Sequence, residues 1–203
     1  TLHESRGTGA LQLLLKQGLE GIHGPVSQLG EVEDIHRLAL EVAAGARLGQ
    51  IVVENDQIAA RAIELLKKNR AGRLTFLPLN QIRKTGSNLN QVLLRGKHAN
   101  NSENSQGLIG KAFDLIHFEP IYSNVFAYVF GDTLVFKDLD SARKQLGKNR
   151  SVTLDGELLE KSGAMTGGSF SRRGSGVSFG SSIDKDEAAP LRQRLLAIGE
   201  ALV

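Results

Sequence analysis

Side chains able to do chemistry are thinly spread along this chain, and the patterns that would gather them into a catalytic centre are missing. The 5 histidines (His3, His23, His36, His98 and His117) are scattered rather than set at metal-ligand spacing. The run Gly107-Leu108-Ile109-Gly110-Lys111-Ala112 has the wrong spacing for a phosphate loop, and no hydroxyl follows its lysine. Dinucleotide, zincin and nucleophile-elbow motifs are absent. Ser141-Ala142-Arg143-Lys144 and Ser182-Ile183-Asp184-Lys185 match S-x-x-K, a pattern with two defined positions that arises readily by chance, and Ser141 reads better as a first-turn helix residue. Asp138 and Asp140 could pair for acid–base work, but acids before a helical run serve better as caps. With no cysteine, disulfides, thiolate zinc sites and cysteine catalysis are excluded. The expectation is a chain with no catalytic residues, no metal site and no cofactor of its own.

The most unusual segment is Ser162-Gly163-Ala164-Met165-Thr166-Gly167-Gly168-Ser169. Glycine permits positive φ and close backbone approach. Three readings compete. Its N–H groups could cradle a phosphate, which would make the chain a small α/β enzyme acting on a phosphorylated or nucleotide ligand. It could be an irregular turn, or it could admit a second chain, with Met165 filling a gap. Charge is uneven: the net value is +3, residues 1–80 balance, and the whole excess falls in 81–203, with a modest basic stretch from Ser141 to Arg173. Aromatic residues make up only 5%, which weakens any base-stacking model.

These residues need elements to hold them. Leu11, Leu13, Leu14, Leu15 and Leu19 predict a helix that breaks at Gly21, Gly24 and Pro25. Val32, Ile35, Ala39, Val42 and Ala46 predict one helix over Glu31–Leu48. Gln50–Val53 reads as a buried strand, followed by a helix capped by Asn55 or Asp56 with Ile58, Ala62, Ile63 and Leu66 inward. Gly72 stands where a helix-ending glycine belongs, and Arg73–Leu77 reads as a strand parallel to the first. A similar strand–helix–strand unit recurs over Thr133–Leu154, preceded by a helix over Ile121–Phe130 and followed by an Asp155-Gly156 hairpin turn and a strand over Glu157–Lys161. The fold class is therefore α/β (mixed α+β), in two small lobes. Leu191, Leu195, Ile198 and Leu202 form one short heptad seam in a final helix. No apolar run approaches the roughly 20 residues of a membrane-spanning helix, and no signal peptide is legible at the start. The absence of an initial Met suggests an excised fragment.

Val152-Thr-Leu-Asp-Gly-Glu-Leu-Leu-Glu-Lys-Ser-Gly-Ala-Met-Thr-Gly-Gly-Ser169 resembles the hinge domain of bacterial SMC (structural maintenance of chromosomes) proteins. Other stretches fit the same pattern in order: Gly21-Ile22-His23-Gly24-Pro25-Val26, Gly72 through Leu79, and Gly131 through Phe136. The resemblance implies a coiled-coil stub at 1–20, a hinge at 21–183 and a returning stub at 184–203. Within the hinge it implies lobe one at about 21–80, a linker at 81–106, lobe two at 107–170 and a Gly/Ser-rich exit at 171–183. It implies a homodimer joined through Gly163, Ala164, Met165, Thr166, Gly167, Gly168 and Ser169. Ala164 stands where many relatives carry a second glycine. It also implies weak, sequence-independent DNA contact through Arg172 and Arg173, to which the local charge adds Lys148, Arg150, Lys185, Arg192 and Arg194. ATP, magnesium and accessory condensin-type subunits would belong to head domains elsewhere in a full-length ATPase acting in chromosome condensation and segregation. Its expected location is cytoplasmic and nucleoid-associated, with no membrane partner.

Overall fold

The computed structural model describes residues 2–83, 106–168 and 178–179. Helix α1 (Leu2–Lys16) lays Ala10 and Leu14 against Ala62 and Leu66 of helix α3 (Asp56–Asn69). Asn55 sets the start of α3, since its backbone is extended and its side chain accepts the Ile58 N–H at 3.0 Å. Asp56 in the first turn and Lys67 and Lys68 in the last complement the helix dipole.

The rest of lobe one comprises β1 (Ile22–Pro25), β2 (Gly30–Val32), α2 (Asp34–Ala44), β3 (Ile51–Val53) and β4 (Phe76–Pro78). Its sheet runs β1-β3-β4, with β1 antiparallel to β3 and β4 parallel to it across the α3 connection. Lobe two repeats the order with β5 (Leu108–Lys111), β6 (Ile116–Phe118), α4 (Ser123–Phe130), β7 (Leu134–Phe136), α5 (Leu139–Arg143) and β8 (Ser151–Thr153). It then adds β9 (Leu158–Leu159) and β10 (Met165–Thr166), giving the sheet β10-β9-β8-β7-β5.

The repetition reaches individual contacts. The Gly21 carbonyl accepts the Glu54 N–H at 2.9 Å, and the Gly107 carbonyl accepts the Lys137 N–H at 2.8 Å. Both glycines have positive φ, 84° and 78°. A Cβ on either would lie 2.2 Å from Ile58 or 2.3 Å from the Ser141 hydroxyl, in each case in the first turn of the helix that follows. Both first strands carry a register irregularity before their second glycine, Gly24 or Gly110. Asp138 caps α5 as Asn55 caps α3, accepting the Ser141 N–H at 2.8 Å. That bond holds its carboxyl below the usual carboxylate range.

The lobes meet through a two-stranded antiparallel ribbon of β2 and β6, in which Gly30 faces Phe118 and Val32 faces Ile116. Around the ribbon a single core draws on both halves: Val26, Leu40, Leu48 and Val52 from one, and Ile116, Phe126, Phe130, Val135 and Val152 from the other. Phe118 and Phe126 stack with centroids 4.6 Å apart.

The α/β class and the two strand–helix–strand units agree with the sequence reading, but several local expectations do not. Glu31 and Val32 begin as strand rather than helix, because ribbon pairing with β6 competes with helical periodicity. Arg70, not Gly72, is the left-handed C-cap of α3, at φ 51°, and its N–H bonds to the Leu66 and Lys67 carbonyls. Ile63 is 41% exposed instead of packed inward. The expected returning helix at 184–203 and most of the expected linker lie outside the described residues.

Gly30 is the tightest point of the ribbon. A Cβ there would lie 2.6 Å from the Phe126 ring and 2.9 Å from Ile116 Cγ2, with the Phe126 side chain fully buried. Gly30→Ala should therefore overpack the seam and cost about 1–3 kcal/mol, read as a lowered urea midpoint with an unchanged slope.

Candidate dimerisation surface

The glycine-rich segment is built as the outermost strand of the five-stranded sheet. A hairpin after β8 sets it up: the Gly156 N–H donates to the Thr153 carbonyl and the Thr153 N–H to the Glu157 carbonyl, each at 3.0 Å. The Thr153 hydroxyl donates to the Glu157 carboxylate and accepts the Glu157 N–H, fastening the turn. After β9 the chain reverses again, with the Gly163 N–H on the Glu160 carbonyl at 3.0 Å and the Glu160 N–H on the Ala164 carbonyl at 2.8 Å. Met165 then faces Leu159, and Thr166 faces Leu158. Among the described residues β10 has no partner on its other edge. An edge strand of this kind presents unpaired backbone groups to another chain.

The glycines have separate reasons. Gly163 and Gly168 adopt φ of 91° and 131°, with open space where a Cβ would stand. Gly167 is different, because a Cβ there would sit 3.0 Å from Glu157 Cγ of its own chain. All residues from Lys161 to Gly168 are exposed. Met165 is 47% exposed, since β10 has no second layer over it within the chain. The segment is extended, and no helix begins within it among the described residues, so its N–H groups are not gathered as a phosphate cradle requires.

Lobe one ends on an edge of its own. Among the described residues β4 pairs with β3 on one side only. The Thr75 carbonyl and the Leu79 N–H bond to β3, so the alternate residues Phe76 and Pro78 face outward. Pro78 has no N–H to offer, which suits an edge position.

The basic residues sort differently from their sequence order. Lys148 is exposed. Arg150 is not a free cation. Its Nε bonds Glu160 at 3.0 and 3.2 Å, and its Nη1 donates to the Ala43 carbonyl at 2.8 Å and to the Thr133 hydroxyl at 3.2 Å. Ser169, Arg172, Arg173, Lys185, Arg192 and Arg194 lie outside the described residues. Sequence reasoning missed a cationic group at the end of α3. Lys67, Lys68, Arg70 and Arg73 are all exposed, and none is in an ion pair among the described residues. The even charge balance of residues 1–80 conceals it, although four cations and no acid stand from Lys67 to Arg73. Two of the acids of residues 1–80, Glu31 and Glu33, are exposed on or beside the ribbon, as is Glu119 of lobe two.

Comparison with known proteins places this geometry. Residues 19–146 match the model of the SMC proteins flexible hinge domain. The chromosome partition protein Smc of Synechococcus sp. is 50% identical over 193 residues, covering 94% of this chain and 15% of that protein. The chain thus spans a small part of the curated relative's length. A Pyrococcus furiosus Smc hinge domain with an extended coiled coil superposes with a TM-score of 0.68 at 33% identity, covering 99% of this chain and 67% of the other. An asymmetric dimer of the Geobacillus stearothermophilus SMC hinge domain gives a TM-score of 0.68 at 31% identity, covering 95% of this chain and 75% of the other.

The glycine geometry makes a direct prediction. Gly163→Ala should cost about 1–2 kcal/mol, because a Cβ at positive φ crowds its own backbone. Ala164→Gly, one residue on, should shift the urea midpoint far less, and denaturation of the two variants side by side checks the contrast.

Proposed function

The chain belongs to the family of SMC flexible hinge domains, and on that premise we propose that it is the homodimerising joint of a chromosome-partition ATPase whose catalytic heads lie elsewhere in the protein. The observation that carries the reading is the pair of one-sided edge strands. β10 closes one sheet and β4 the other, and both leave backbone hydrogen-bonding groups facing outward. In a twofold pair, β10 of one protomer can run beside β4 of its partner, and the second contact repeats the first by symmetry. Ala164, Met165 and Thr166 supply the contacting side chains, while Gly163 and Gly168 set the path of the strand. The neighbouring Ser169 extends the same surface. The Geobacillus stearothermophilus relative, described as an asymmetric hinge dimer, supports the pairing of two chains but not an exact twofold between them.

Met165 gives the cleanest test, since it is exposed and its backbone is unstrained. Met165→Asp should convert a particle of twice 21.9 kDa into one of 21.9 kDa by light scattering, with the circular dichroism spectrum unchanged. An unaltered dimer would refute the edge-strand contact. Bulky residues at Gly167 and Gly168 should act in the same direction, but Gly167 also collides with Glu157 and reports less cleanly.

The joint also binds DNA, through phosphates rather than bases. The set Lys67, Lys68, Arg70 and Arg73 supports this, joined by Lys148 and by Arg172, Arg173, Lys185, Arg192 and Arg194 of the exit segment. The acidic side chains at the ribbon direct the polyanion away from the centre of the protomer and towards the α3 end. Replacing the four α3-end cations with alanine should weaken binding to any DNA sequence. It should also lower the slope of log K against log salt by about 0.9 for each phosphate that is no longer neutralised. Arg150→Ala should leave the slope as it is. A slope unchanged by the fourfold replacement would exclude the α3 end as the DNA surface. The role of the whole protein in condensing and segregating chromosomes follows from this joint as a proposal, as do nucleoid association and partnership with condensin-type subunits at the heads.

A further inference from the structure

Two arginines cross the boundary between the lobes in opposite directions. Arg47 belongs to lobe one, in the short 3-10 turn after α2, and its Nη1 donates to the Val129 carbonyl at 2.8 Å and reaches the Tyr128 carbonyl at 3.4 Å, both in the last turn of α4 in lobe two. Its guanidinium also lies over the Tyr128 ring, 5.4 Å from the centroid. Arg150 belongs to lobe two and donates to the Ala43 carbonyl at 2.8 Å, in the last turn of α2 in lobe one. The receiving positions match. Ala43 stands two residues before the C-cap Gly45, and Val129 two before the C-cap Gly131, and these caps share nearly the same backbone angles, φ 54° and ψ −136° against φ 53° and ψ −130°. Each lobe therefore fills the negative end of the other lobe's helix dipole with a cation.

The internal repeat does not explain this reciprocity. Thr75 occupies in lobe one the place of Arg150, since the Thr75 carbonyl accepts from Ile51 at the start of β3 as the Arg150 carbonyl accepts from Leu134 at the start of β7. The 3-10 turn that carries Arg47 has no counterpart in lobe two, where Gly131 leads almost directly into β7. The two arginines thus reach equivalent targets from non-equivalent positions, which points to a requirement imposed on the assembled pair of lobes. Each is also fixed from behind, Arg150 by Glu160 and Thr133, and Arg47 by the Tyr128 ring.

We propose that Arg47 and Arg150 are a reciprocal pair of clasps that lock the two lobes into one lever, so that the joint opens between chains and not between lobes. The clasps lie within one chain, and only the consequence for opening rests on the dimer reading. With the lobes locked, strain applied at one edge-strand contact is delivered to the other instead of being absorbed at the ribbon.

Native-state hydrogen exchange on the full chain tests this, because it resolves which lobe loosens. Arg47→Ala should raise exchange about tenfold at the Gly131 and Thr133 amides, in the lobe that does not carry Arg47. Arg150→Ala should do the same at the Gly45 amide. The double variant should also accelerate the ribbon amides of Val32 and Phe118, which the single variants leave slow. Changes confined to the lobe that carries the removed arginine, or ribbon amides unmoved in the double variant, would overturn the proposal. Should the alanine variants not fold, Arg47→Lys and Arg150→Lys keep the charge but lose the fork, and carry the same test with smaller expected shifts. Repeating the measurement in the Met165→Asp background separates the two readings. Clasps that persist there while the mass stays at the dimer value would refute only the edge contact.

Discussion

The main core is shared between the two lobes, each of which keeps only smaller apolar clusters of its own, and this shared core governs the rest of the structure. A unit of roughly 60 residues buries only about 60% of the surface its unfolded chain exposes. Lobe one contributes a three-stranded sheet and lobe two a five-stranded one, and the two also share the β2–β6 ribbon. The solution is a common interior in which Phe126, Phe130 and Ile116 of one half fill against Leu40, Leu48 and Val26 of the other. The ribbon of β2 and β6 closes that interior and admits glycine at Gly30, because Ile116 and the Phe126 ring already occupy the volume a side chain would need. Phe179, 2% exposed, joins the same core. The Glu41 carboxylate accepts its N–H at 3.2 Å and also bonds the Ser178 hydroxyl, while Arg37 donates to its carbonyl at 3.3 Å. The chain beyond the glycine-rich strand is thereby tied back to α2.

Duplication with selective departure describes the two halves. Strand order, register irregularities, helix caps and the Gly21/Gly107 contacts are common to both. Lobe two alone goes on to add β9 and β10, so the outer edges of the two sheets differ. One is a parallel strand ending in proline, and the other is a glycine-bounded strand set off by a tight turn. Unlike edges of this kind give a pair of protomers a defined way to join and disfavour indiscriminate stacking of like edges. His23 and Tyr122 add a polar tie across the lobes, with the ring nitrogen 2.9 Å from the hydroxyl. Burial first, and the Glu119 carboxylate second, raise the Tyr122 phenol above its ordinary value and keep it protonated.

Cationic residues show why a tally of charge along a chain misleads. Arg150 lies in the basic stretch from Ser141 to Arg173, yet its guanidinium bonds a carboxylate, a hydroxyl and a helix-end carbonyl. Lys67, Lys68, Arg70 and Arg73 lie within residues 1–80, whose charges balance as a whole, yet they stand together and, among the described residues, outside any ion pair. Arg70 even holds a left-handed backbone conformation that a glycine would adopt at less cost. Only folding decides which acids come near which bases, and here it sends Glu31, Glu33 and Glu119 to the ribbon.

Features that depend on neighbours along the chain were legible before any fold was known. Asn55 and Asp138 as caps, the buried runs at β3, β7 and β8, the Asp155-Gly156 turn and the ordered SMC-hinge motifs all belong here, because capping, β-branched runs and turn glycines act over three or four residues. The Gly-x-x-Gly spacing at Gly21–Gly24 and again at Gly107–Gly110 was present too, and was the available sign of the duplication. Tertiary structure alone decided the rest. Glu31 and Val32 became a strand since β6 was there to pair with them, and β1, β5 and β10, each four residues or fewer, carried too little periodicity to stand out. Met165 was left exposed because its strand ends the sheet. Arg47 and Arg150 were committed to helix ends more than eighty residues away in the chain. Pairing partners, sheet edges and long-range charge contacts depend on what arrives from elsewhere in the chain, and local spacing holds no record of that.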